Sequence, residues 1–91
     1  MAYVLCEVHP GLGKRDVSVA VHDVHKVRTF LHVDRDFLTR ERDRVYLPVG
    51  VVSRDHGRGM ALIELPQEAD SGAHRLWVPL SSLLEANGAP A

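Results

Sequence analysis

Val17-Ser18-Val19-Ala20-Val21 and Ala61-Leu62-Ile63-Glu64-Leu65 are the stretches that decide the fold. Successive strand side chains point to opposite faces, so Val17, Val19 and Val21 share one face, as do Ala61, Ile63 and Leu65. β-branched residues in short alternating runs favour strands. What surrounds the two stretches is also alike. Ahead of each lie an apolar run and a glycine-rich turn: Ala2 to Val8 with Pro10-Gly11-Leu12-Gly13, and Val45 to Ser53 with His56-Gly57-Arg58-Gly59.

After each come a polar connection and another strand. In the first half the tight turn Asp23-Val24-His25-Lys26 leads to a strand over Val27 to Val33, with Val27, Leu31 and Val33 on one face. In the second, a polar loop over Gln67 to Ala73 leads to a strand over Arg75 to Val78. Residues 34–38 read as one helical turn capped by Asp34 or Asp36. The spacing of Ser82 and Glu85 suits a capping box for a short helix over 81–86, ended by Asn87-Gly88.

Charged throughout, Thr39 to Arg44 reads as a solvated loop. Pro48 cannot donate to a ladder and points to an edge position or a bulge, and Gly50 marks a bend. Leu5/Val49, Val8/Val52, Val17/Ala61, Val19/Ile63 and Val21/Leu65 are each 44 residues apart. Leu31/Leu76, Val33/Val78 and Leu38/Leu83 are each 45 apart. The expected fold is all-β: one small barrel of about six short strands over residues 1–86, built as two similar three-strand units, with a frayed tail over 87–91.

Ninety-one residues make a single domain. The apolar fraction of 45% is ordinary for a globular chain. The net charge of −1 is uneven: residues 35–58 carry six arginines against four acids, and residues 59–91 one arginine against four acids. That balance argues against a dedicated nucleic-acid binder, whose affinity comes mainly from neutralising phosphates. The single cysteine, Cys6, lies in an apolar strand and reads as a small core residue. Neither a basic start with an apolar block nor a run of about 18 apolar residues is present, so the expected location is the cytoplasm.

Few residues suggest chemistry. His22 and His25 flank a turn and His32 lies on the partner strand, but no cysteine or well-spaced carboxylate completes a metal set, so they read as surface histidines. Gly11-Leu12-Gly13-Lys14 lacks the spacing, the Ser or Thr and the helix of a phosphate loop. No serine sits in a nucleophile motif, and the acids near Asp34 and Glu41 alternate with arginine. No enzyme, cofactor or metal is therefore expected. Candidate binding residues are Arg40, Arg42, Arg44, Arg54 and Arg58, with Tyr46 beside the first three, and Trp77. Trp77 alternates with Leu76 and Val78, so it points away from their face, and an exposed tryptophan is a common binding anchor.

Val49-Gly50-Val51-Val52, Gly57-Arg58-Gly59, Ala61 to Leu65 and Trp77-Val78-Pro79-Leu80-Ser81-Ser82-Leu83 resemble the PRC-barrel family. The first half has Val33-Asp34-Arg35-Asp36 where the second has Val-Pro-Leu-Ser. The resemblance implies an SH3-like barrel acting as an adaptor, without shared catalytic residues. The expected function is thus a non-enzymatic interaction or assembly module that binds another protein or a second copy of itself. The alternative is RNA or DNA binding through the arginine-rich loops.

Overall fold

The structure is a computed structural model and describes every residue except Leu12 and residues 86–91. The expected tail, the helix end at Asn87-Gly88 and the middle of the first glycine-rich turn lie outside the described residues. The chain is all-β, with strands β1 (Ala2–Pro10), β2 (Asp16–His22), β3 (Arg28–Asp34), β4 (Thr39–Glu41), β5 (Arg44–Asp55), β6 (Met60–Glu64), β7 (Arg75–Pro79) and β8 (Leu83–Glu85). Two 3-10 turns, Arg35–Phe37 and Leu80–Ser82, precede β4 and β8.

Six strands form one curled antiparallel sheet in the order β3-β2-β1-β5-β6-β7, with β4 beside β5 and β8 beside β1. The sheet wraps around a core whose fully buried residues include Val4, Val19, Leu31, Leu47, Ile63 and Val78. Burying each such side chain contributes roughly 1.5–3 kcal/mol. The alternation read from the sequence sets this face: Val17, Val19 and Val21 are buried, as are Ala61, Ile63 and Leu65.

The strand pairs β2–β3 and β6–β7 run in comparable registers. Val19 pairs with Leu31 and Ile63 with Leu76; Val17 pairs with Val33 and Ala61 with Val78. The Arg35 amide donates to the Arg15 carbonyl at 2.6 Å, and the Leu80 amide to the Gly59 carbonyl at 2.9 Å. Each half lends its last strand to the other: β4 pairs with β5, and β8 with β1. The outer strands are met the same way, since Val24 N–H donates to the Trp77 carbonyl (2.9 Å) and Asp70 N–H to the Phe30 carbonyl (2.8 Å).

Several expectations need correction. Leu5 and Val49 face opposite sides, Leu5 outward and Val49 into the core. β5 shifts register between Val51 and Ser53. Ahead of that bulge the matching partners are Val4 with Leu47 and Cys6 with Val49, one residue closer in sequence than the spacing suggested.

β5 is central rather than an edge. Pro48 lies between Tyr46, the last residue paired with β4, and Gly50, the first paired with β6, so one side of the strand needs no donor there. The expected loop over Thr39 to Arg44 is a hairpin, because Thr39, Arg40 and Glu41 pair with Tyr46, Val45 and Arg44. Arg42 turns it with φ 58°.

The expected capping box does not form. Ser82 Oγ donates to the Pro79 carbonyl at 2.8 Å, and Leu83 is drawn into the core as β8 pairs with β1. Val27 precedes β3 and is 57% exposed; Thr29 takes its place on the buried face. The first helical turn forms where expected, with Asp34 Oδ1 accepting from the Asp36 amide at 2.9 Å.

Candidate functional site

Two outward surfaces carry Trp77, Tyr46, Arg42 and Arg44 among the residues that the sequence singles out. The first is the outer face of β6 and β7, where Met60 lies opposite Pro79, Leu62 opposite Trp77, and Glu64 opposite Arg75. Trp77 is 37% exposed, as strand alternation requires when Val78 is in the core. Arg75 Nη2 and Glu64 Oε1 form an ion pair at 3.1 Å that bounds the apolar part. The matching face of β2 and β3 has polar pairs at either end, Ser18 opposite His32 and His22 opposite Arg28, with Ala20 opposite Phe30 between them. Its partners are already supplied: Arg28 stands 5.6 Å over the Phe30 ring, and His32 Nδ1 lies 3.1 Å from Asp16 Oδ2.

The second surface is the outer face of β8, β1, β5 and β4. Tyr3 lies between Leu84 and Pro48, and Tyr46 between Leu5 and Thr39. These side chains are half-buried and alternate with the core residues Val4, Leu47 and Leu83. A groove of about 760 Å³ runs over them, lined by Tyr3, Tyr46 and Leu84, with Arg42, Asp43 and Arg44 at its rim.

The structure therefore joins Tyr46 with Arg42 and Arg44, as the sequence suggested, and adds Tyr3, which it did not. The signal for Tyr3 was its alternation with Ala2 and Val4, but its meeting with Tyr46 depends on the β1–β5 register. Arg40 lies on the opposite face of β4, across from Val45. Arg54 forms an ion pair with Glu85 at the groove's edge. Arg58 sits apart, at the β5–β6 turn, 3.8 Å from Asp55 Oδ2. Charges alternate along Arg40-Glu41-Arg42-Asp43-Arg44, yet none of the five forms an ion pair with another described residue.

A smaller pocket of about 470 Å³ opens where β1 passes from pairing with β5 to pairing with β2. Leu5, Ala20, Val45 and Pro79 make it mainly apolar, and Cys6 is on its wall. Cys6 Sγ donates to the Val45 carbonyl at 3.6 Å, and burial pushes the thiol up to about 11. A thiol so held is protonated at neutral pH and is a poor nucleophile.

The three histidines weighed as metal ligands have separate surroundings. His22 Nε2 lies 3.5 Å from Glu7 Oε1, His32 lies between Asp16 and Asp70, and His25 is exposed in its turn. Among the described residues no group of three or more His, Cys, Asp or Glu is placed to hold a metal ion. Glu7 also meets Arg28 at 3.5 Å, and the His22 hydrogen bond holds its carboxyl below the usual carboxylate range. Among the described residues no helix is long and apolar enough to cross a membrane. No family model, no curated protein and no solved structure matches this chain.

Proposed function

We propose that this chain is a non-enzymatic cytoplasmic module that binds another protein through the outer face of β6 and β7. The observation that carries this is Trp77, 37% exposed among Leu62, Met60 and Pro79 in a place where the matching half has His32, Ser18, Asp16 and Asp34. At these positions the outer face of the second unit is apolar where that of the first is polar, while one rung further Glu64 and Arg75 stand where the first has Ala20 and Phe30. Large, stiff aromatic side chains dominate contact energies because they bury much area with little loss of rotamer freedom. The resemblance of residues 49–83 to PRC-barrel domains supports an adaptor role, and the matching registers support an origin by internal duplication.

Affinity capture with wild type and Trp77→Ala tests the reading. A partner retained by wild type and lost with Trp77→Ala, at unchanged melting temperature, is the expected result. A partner held equally by both proteins would remove Trp77 from the function. A second reading, RNA or DNA binding, rests on Tyr3 and Tyr46 sharing one groove with Arg42 and Arg44. Fluorescence polarisation with short single strands over a salt series decides it, since phosphate contacts give steep salt dependence.

A further inference from the structure

The groove over β8, β1, β5 and β4 has a charge pattern of a particular kind. At its rim Arg42 and Arg44 have no carboxylate partner, and Glu41 and Asp43 have no cationic partner, among the described residues. Two unpaired charges of each sign leave this rim neutral. A neutral rim gives little attraction to a polyanion and little repulsion to a like surface. Beside it lies a floor of Tyr3, Tyr46 and Leu84, all half-buried, with Thr39 and Glu85 also lining the groove.

Each feature fits a twofold interface. Such an interface uses the same patch on both partners, so the patch must complement itself. A patch with both signs at one end does so when the cations of one copy face the anions of the other. Glu41 and Arg44 face each other across the hairpin without an ion pair between them, and Arg42 and Asp43 stand in its turn. Arg42 holds a left-handed conformation with φ 58°, as Lys26 does with φ 64° in the β2–β3 turn, and glycine would occupy either position without strain.

We propose that a second copy of this chain docks on this face, forming a twofold dimer in which the tyrosine-floored grooves meet and the arginines and acids of the two β4–β5 hairpins pair across the interface. This goes beyond the Trp77 reading, because Trp77 lies two strands further round the sheet and stays free to bind another protein.

Sedimentation equilibrium on three proteins tests the dimer. They are wild type, an acidic variant (Arg42→Glu with Arg44→Glu) and a basic variant (Glu41→Arg with Asp43→Arg). Wild type is expected at twice the chain mass, and each variant alone with its dimer weakened by about tenfold or more. An equimolar mixture of the two variants is expected to regain the dimer, since each supplies the charges that the other lacks. All four positions are exposed, and circular dichroism confirms that the variants fold.

A separate variant, Arg42→Gly, is expected to raise the melting temperature at concentrations where both proteins are monomeric while weakening the dimer, a pair of opposite effects that general destabilisation cannot produce. A wild type that stays monomeric near millimolar concentration overturns the proposal. So does a dimer indifferent to the charge variants, a mixture that fails to recombine, or a dimer lost with Trp77→Ala instead. A monomer whose groove tyrosines are shielded by short single-stranded RNA would give the face to nucleic acid and overturn it as well.

Discussion

The amide of Val24 donates to the carbonyl of Trp77 at 2.9 Å, tying the β2–β3 turn of one half to the outermost strand of the other. A strand at the end of a sheet presents unpaired backbone groups that invite pairing with other chains. Here part of that edge is already occupied. Val24→Pro removes the donor, and its expected cost is about 1 kcal/mol or more. Thermal unfolding checks the loss, and an unchanged melting temperature would mean that the contact contributes nothing to closing the sheet.

Two turn positions carry opposite expectations. Arg42 has φ 58° and bears a side chain; Gly59 has φ 67° with nothing near its would-be Cβ. Arg42→Gly is expected to stabilise the fold by about 1 kcal/mol, and Gly59→Ala to destabilise it by a similar amount. Denaturant titration measures both. Equal signs for the two changes would contradict the backbone argument.

Cys6 gives an alkaline prediction. Its thiol is pushed up from 9.0 to about 11 by burial, so the folded state favours the protonated form. The stability this contributes is complete below about pH 9 and is lost as pH rises towards 11. Wild type is expected to lose more stability than Cys6→Ala over that window, and melting curves of both proteins supply the comparison. Parallel curves would show that the thiol does not titrate with unfolding.

Glu7 gives the acid counterpart. Its carboxyl sits below the ordinary value of 4.5, first because of the His22 hydrogen bond and then because of Arg28. A depressed value means that the contribution is present above about 4.5 and fades as pH falls through the folded value. The stability gap between wild type and Glu7→Gln should therefore narrow on acidification. A gap that widens would assign the shift the wrong sign.

The sequence made β2 and β6 legible because every second residue in them is apolar, so local pattern and tertiary burial agree. Trp77 was legible for the same reason: its neighbours Leu76 and Val78 fix which way it points. β4 was not, since Arg40 and Glu41 are charged on both faces and become a strand only by pairing with Val45 and Arg44. β8 was misread because Ser82 and Glu85 have the spacing of a helix start, while the partner that makes Leu84 a strand residue, Tyr3, lies at the far end of the chain. The groove shares that difficulty. Its tyrosines come from β1 and β5, and no local pattern sets the register between those strands.

The exchange of β4 and β8 between halves also governs how the chain can fold. A fragment holding only the first half would keep β4 without β5 and β1 without β8, leaving Leu47, Ile63 and Val78 absent from its core. Neither half can therefore be a stable stopping point on the way to the other. The β1–β8 ladder also joins residues nearly a full chain length apart, so its loop-closure entropy is lost before the contacts compensate. Unfolding should accordingly be all-or-none, and folding slow for so short a chain.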